Sequence, residues 1–147
     1  MSRWRQGKKI RSIKNATLHQ KIYVNLPVKD PARLIPFFKR LSFEFDPQST
    51  NDHGACVVVG QNIYAMPLPE AFFKTFTAKP ICDARQSAEV LVCISCENRS
   101  EVDALAAGGK APRAPQDHGF MYRRGFEDLG WHIWEPIHMA PNAAGAV

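Results

Sequence analysis

The chain's 147 residues, 45% apolar and 22% charged, suit one ordinary globular domain and exclude a multidomain machine. No apolar run approaches the roughly 18 to 20 residues that span a bilayer, and four irregularly spaced cysteines with no apolar secretory leader ahead of them exclude a disulfide scaffold and point to a cytoplasmic protein with reduced thiols. The formal charge of +5 suggests nucleic acid, but seven of the nineteen basic residues (Arg3, Arg5, Lys8, Lys9, Arg11, Lys14 and Lys21) precede residue 22, and the remainder carries 12 basic against 14 acidic side chains, no footprint for phosphates.

Residues 1–20 therefore read as a basic leader: an arm for an anionic surface, an organelle-targeting segment, translated sequence upstream of an original start, or a mobile tail. From Lys21 the pattern becomes alternation, with Ile22, Val24, Leu26 and Val28 on one face and Tyr23, Asn25 and Pro27 on the other, the period of a half-buried strand. Pro27 points to an edge strand or to a position at a strand's end. Asp30-Pro31 reads as an N-cap and first helical residue, and Leu34, Ile35, Phe37, Phe38 and Leu41 follow at helical spacing, with Pro36 loosening the start.

Short strands are expected at 43–45, 55–59 and 63–68, the last two as a hairpin around Gly60-Gln61-Asn62, then a short helix from Pro69 to Phe76. A polar connection, 77–87, leads to a second half: a strand at 89–96, a helix at 100–107, and strands near Lys110, at 118–127 and at 131–137. An offset of 68 residues lays Ile22-Tyr23-Val24-Asn25-Leu26 on Val90-Leu91-Val92-Cys93-Ile94. Element order repeats although sequence does not, which gives two strand-helix-strand-strand-strand modules, residues 21–76 and 88–139, each too small to bury a core well alone.

These segments carry a family likeness. Ile22-Tyr23-Val24-Asn25-Leu26-Pro27-Val28-Lys29-Asp30, the Phe37-Phe38 helix, Pro115-Gln116-Asp117-His118-Gly119-Phe120-Met121-Tyr122, Phe126-Glu127-Asp128 and His132-Ile133-Trp134-Glu135 resemble the vicinal oxygen chelate superfamily, in its bacterial glyoxalase/bleomycin resistance branch. The resemblance spans residues 21–139. It implies an α+β fold of two βαβββ modules whose curved mixed sheets form a cup, completed in a homodimer. In metal-using members each module gives two ligands to one divalent ion, from its first and last strands. Carried over, those positions fall on Tyr23, Met66, Leu91 and Glu135. One carboxylate cannot hold a divalent ion, because such sites need about three or more oxygen or nitrogen donors and a thioether suits hard cations poorly. No active-site metal and no cofactor are expected. Two features depart from the pattern: Gly130-Trp131 replaces the Asp-Gly turn before the last strand, and the second helix is shortened ahead of Gly108-Gly109.

The cup reading places Glu135 beside Tyr23, Asn25, Met66 and Leu91, a mixed apolar pocket in which Glu135 could serve as a base or form a salt bridge, with Arg124 as partner. Asn25 could orient a carbonyl. Tyr122 and Arg124, with Phe120 and Phe126, would offer stacking area and a cation, or simply sheet packing. His118 could reach a ligand from its loop; the other histidines are read as structural, with His132 and His138 facing away from Glu135 in packing or dimer contact. Cys93 and Cys96 form a CxxC, but on a strand they face opposite ways, and each suits a buried small-residue role. The expected function is metal-independent binding of a small, drug-like or aromatic molecule. The alternative is a glyoxalase-like metal-dependent lyase or isomerase using Glu135.

Overall fold

In the computed structural model, residues 17–141 are described; most of the basic leader (1–16) and of the tail (142–147) lies outside them. The first half runs β1 (Ile22–Val28), α1 (Pro31–Arg40), β2 (Glu44–Phe45), β3 (Val57–Gly60), β4 (Ile63–Pro69) and a short helix α2 (Glu70–Phe73). The second runs β5 (Leu91–Ser95), α3 (Arg99–Ala106), β6 (Gln116–Asp117), β7 (Met121–Arg123), β8 (Phe126–Glu127) and β9 (Ile133–Met139). One sheet has the order β1-β4-β3-β2; the other has the order β5-β9-β7-β6, with β8 also on β9. In both, the module's first and last strands lie parallel, Tyr23 opposite Tyr64 and Cys93 opposite Glu135, and the remaining pairs are antiparallel. β1 is an edge strand, which tolerates Pro27.

The strands depart most from expectation in the second half. The strand at 118–127 begins at Met121, because His118 and Gly119 form the turn after β6, with Gly119 at φ 81°. β7 and β8 share one register on β9, with Arg123 opposite Ile137 and Phe126 opposite Trp134, so they are one strand interrupted at Arg124-Gly125. The strand near Lys110 shrinks to a single bridge with Glu127; Pro112 and Pro115, which lack N–H donors, follow it and prevent a longer ladder.

Helix α1 forms for reasons written at both ends. The Asp30 side chain, on extended backbone, accepts from the Ala32 N–H at 3.1 Å, and Pro31 presets the first turn. At the other end Ser42 adopts φ 71°, its N–H reaches the Lys39 carbonyl, and the Phe43 N–H returns to the Phe38 carbonyl at 3.0 Å. That pair of bonds is a Schellman closure, and the accompanying apolar contact is Phe43 edge-on to Phe38 with centroids 5.5 Å apart. Helix α3 is capped by Asn98, whose side chain accepts from the Glu101 N–H at 2.8 Å. It ends before Gly109, where a Cβ would lie 2.7 Å from the Glu127 carbonyl oxygen; only glycine lets the chain pass that close to β8.

The core is shared by the two modules. Val24, Leu26, Val28, Val57 and Ala65 of the first sheet and Val92, Ile94, Phe126 and Trp134 of the second meet around Leu34, Phe37 and Phe38 of α1. Phe38 lies 5.0 Å from Trp134, and Trp134 stacks on Phe126 at 6.2 Å. Each large side chain buried there is worth about 1.5–3 kcal/mol. Alternation then decides the rest: Tyr23, Asn25 and Met66 on one sheet, and Leu91 and Glu135 on the other, point away from this shared core.

The turn before β9 is built on a buried carboxylate. Asp128 accepts from the Gly130 N–H (2.7 Å), the His132 N–H (3.2 Å) and the Trp134 indole N–H (2.9 Å). This arrangement holds Trp131 at φ 66°, the left-handed region that costs a non-glycine residue about 1–2 kcal/mol. Arg85 lies over its ring at 5.4 Å. The ordinary preference for alanine over glycine should therefore invert at this position. Trp131→Gly is expected to be more stable than Trp131→Ala by about 1 kcal/mol, measured by urea unfolding.

Candidate functional site

The outward face of the first sheet carries Tyr23 and Asn25 from β1 and Tyr64 and Met66 from β4. In-register pairing sets Tyr23 against Tyr64 and Asn25 against Met66. The two tyrosine rings stack with centroids 5.1 Å apart and planes at 16°. Tyr23 remains 54% exposed, so the stack is a shelf open to solvent.

The outward face of the second sheet carries Leu91, Cys93, Glu135, Ile137 and Arg123. The Arg123 guanidinium donates to a Glu135 oxygen at 2.6 Å, with both side chains largely buried. The salt-bridge reading of Glu135 holds, with Arg123 replacing Arg124 as partner. The reason is register: Arg123 pairs opposite Ile137 and so shares the face of Glu135, whereas Arg124 alternates to the other side. Leu91 is 50% exposed. Cys93 is exposed beside Glu135, a correction to its expected burial; desolvation and Glu135 push its thiol up. Cys96 is buried on the opposite face, its thiol pushed up to about 12 by burial and by Glu101, so it is an inert thiol.

Tyr122 and Arg124 are not with Glu135. Both turn towards α3, where the Tyr122 hydroxyl donates to Asp103 Oδ1 at 2.6 Å and Arg124 donates to the same oxygen at 3.1 Å. These two bonds hold the Asp103 carboxyl below its ordinary value, the Tyr122 bond foremost, and Asp103 in turn raises the Tyr122 hydroxyl. Phe126, the next residue on that face, is core. His118 is exposed in the β6–β7 turn, 6.2 Å from the Phe120 ring. His132 is buried beside Asp128, and His138 hydrogen-bonds the Cys96 carbonyl through Nδ1 at 3.2 Å, the packing roles expected of them.

Next to this network Arg99 forks onto Asp117 with contacts of 2.6 and 3.0 Å and lies over the Tyr122 ring. Arg99, with help from the Gly119 N–H, holds Asp117 at about 2 instead of 3.8. A depressed carboxylate stabilises the fold above its unfolded value, and that contribution is lost as pH falls through the folded one. In Arg99→Gln the Asp117 carboxyl, followed by NMR titration, is expected to move back towards 3.8.

The donor chemistry does not fit a glyoxalase-type metal. Of Tyr23, Met66, Leu91 and Glu135, only the last offers a carboxylate, and Arg123 already holds it. Among the described residues no three His, Cys, Asp or Glu side chains gather as a metal would require. Nor does one chain bring the two half-sites together, since each faces away from the core between them. Tyr64 and Arg123 join the face residues without having been singled out from the sequence, and Cys93 was singled out only as a buried small residue; the signal for Tyr64 and Cys93 was alternation shared with Met66 and Leu91.

No protein-family model and no curated protein matches the chain in sequence. Solved structures do match in fold. A hypothetical protein from S. aureus superposes with a TM-score of 0.71 at 20% identity, over 86% of this chain and 98% of that one. A glyoxalase/bleomycin resistance protein/dioxygenase family enzyme from Burkholderia phytofirmans gives 0.65 at 16%, over 80% and 97%. A glyoxalase/bleomycin resistance protein/dioxygenase from Nocardioides gives 0.63 at 14%, over 92% and 94%. The chain has the glyoxalase/bleomycin resistance fold that the resemblance implies. No helix among the described residues is long and apolar enough to cross a membrane.

Proposed function

We propose that the protein binds a small organic molecule without a metal ion, in a cup that two copies complete as a homodimer. The observation that carries the reading is the Arg123–Glu135 ion pair at 2.6 Å. It places a built-in cation on the single acidic group among the four positions where metal-using relatives hold an ion. A guanidinium hydrogen-bonded to a carboxylate neutralises it without supplying the open coordination position that a Lewis acid needs.

The rest of the two faces suits recognition of a flat, partly apolar molecule. The Tyr23–Tyr64 shelf offers stacking area, Asn25 a donor and acceptor, and Met66 and Leu91 adaptable apolar contact. Tyr23 and Leu91 are each about half exposed in one chain, and a second copy laid across them would bury both. An aromatic or drug-like compound is the fitting occupant, sequestered rather than turned over.

The test combines metal analysis with calorimetry, using metal-free bleomycin as probe. Purified protein should contain no stoichiometric divalent ion and should scatter light as twice the 16.5 kDa chain. Probe affinity should be unchanged by chelator and should fall about tenfold in Tyr23→Ala. A bound ion that supports chelator-sensitive turnover of the methylglyoxal–glutathione adduct overturns the proposal and favours the lyase or isomerase alternative.

A further inference from the structure

We infer that a second binding site, for a small aromatic anion, lies outside the cup faces. It is a cleft of about 500 Å³ between the inter-module connection at 80–85, the start of α1 and the Asp128–His132 turn. Pro27, at the end of the Tyr23–Asn25 face of β1, borders it, but none of Tyr23, Asn25, Met66, Leu91 and Glu135 lines it, so the two readings are tested separately.

Charge is the first argument. The cleft's three carboxylates are already engaged. Asp30 caps α1, Glu70 pairs with Lys29 at 3.6 Å, and Asp83 holds Arg85 at 3.2 Å. Arg33 and Lys74 line the same cleft, and neither pairs with a carboxylate among the described residues. Two uncommitted cations beside a concave, partly apolar wall are the makings of an anion site.

The wall itself supplies the second argument. Trp131 is 40% exposed and is held at φ 66°, a conformation that glycine would adopt freely. Its indole lies in the cleft with Leu34, Ile81 and Leu129, and Arg85 covers it at 5.4 Å. An aromatic plane backed by a guanidinium is a stacking platform for an electron-rich ring. Strain retained at an exposed position fits a residue kept for what it touches, since the turn alone would be better served without it.

Behind Trp131 and Arg85 lies a third feature. A smaller cavity of about 150 Å³ shares Cys82, Ala84, Arg85 and Trp131 with the cleft and reaches His132. His132 is buried, and neither ring nitrogen has a hydrogen-bond partner among the described residues. The Arg85–Trp131 stack therefore stands between the cleft and a buried ring whose Nδ1 lies 3.7 Å from Asp128 and whose Nε2 has no hydrogen-bond partner among the described residues, and a ligand that displaces Arg85 approaches that nitrogen.

The experiment uses the isotope-labelled full chain, with naphthoate as probe and naphthylmethylammonium as the matched cation. Naphthoate is expected to shift the Trp131 indole N–H saturably, with the ammonium compound about tenfold weaker or more. The double variant Arg33→Gln/Lys74→Gln, whose two side chains are exposed, should keep the native amide spectrum and bind naphthoate about tenfold more weakly. Lys74→Gln alone serves if the double variant fails to fold. Equal binding of the two probes, unchanged affinity in the variant, an unmoved Trp131, or shifts confined to Tyr23 and Glu135 would each overturn the inference. The last result would place aromatic binding in the cup only, and loss of cup binding with Trp131 still responding would overturn the proposed function and leave this site intact.

Discussion

Trp134→Ala is expected to destabilise the fold by about 4 kcal/mol or more, enough to remove most of the stability of an ordinary domain. The side chain is fully buried and lies within 5.0 Å of Phe38, 5.9 Å of Phe43 and 6.2 Å of Phe126, centroid to centroid. Truncation leaves a cavity bounded by both modules, and no single strand can shift to fill it. It also strips Asp128 Oδ2 of the indole N–H at 2.9 Å, which leaves a buried acceptor without a partner. Trp134→Phe separates the two contributions, keeping much of the ring and losing the N–H; a loss of about 1–3 kcal/mol is expected. Urea unfolding followed by circular dichroism measures both. A loss under about 2 kcal/mol for the alanine variant would mean that the modules do not depend on a common core at this point.

That common core explains which parts of the fold were legible. Asp30-Pro31 announced α1 because capping is local chemistry, and the alternation from Ile22 to Val28 announced which side chains of β1 turn inward. The CxxC of Cys93 and Cys96 was correctly denied a shared site by the same period. What alternation cannot say is where the outward faces look once two sheets are packed. Glu135, Tyr23, Asn25, Met66 and Leu91 read as one pocket of a homodimeric cup, and within a single chain α1 stands between their two sheets. A hint was present in Phe37-Phe38, since a helix lying on one sheet buries one stripe, and two consecutive buried phenylalanines serve two directions. Arg123, rather than the expected Arg124, is the partner of Glu135 for a related reason. One residue of register exchanges the faces of a strand, and register on β9 is set by long-range pairing that no local pattern displays. Trp131, by contrast, was visible as a departure, because a bulky residue had taken a glycine's place in the turn.

Asp128→Ala is the second large effect, expected at about 3–5 kcal/mol, and it links the core to that turn. The carboxylate is completely buried and serves two backbone N–H groups and one indole. Removing it leaves three donors without their acceptor, the His132 N–H and the Trp134 indole N–H of them buried, at about 1–3 kcal/mol for each fully buried one. Asparagine does not rescue the site, because its amide nitrogen would face either the backbone donors or the Trp134 indole, donor against donor. Asp128→Asn should therefore lose about 2 kcal/mol or more despite equal volume. Coupling makes the argument testable beyond simple loss. If Asp128 serves Trp134 directly, Asp128→Ala combined with Trp134→Phe should cost about 1–2 kcal/mol less than the sum of the single changes. If it also forces Trp131 into the left-handed region, the advantage of glycine over alanine at 131 should shrink once Asp128 is gone, because the released turn can relax. Additive values in both cycles would separate the buried carboxylate from the strained tryptophan, and the turn's geometry would then need another cause.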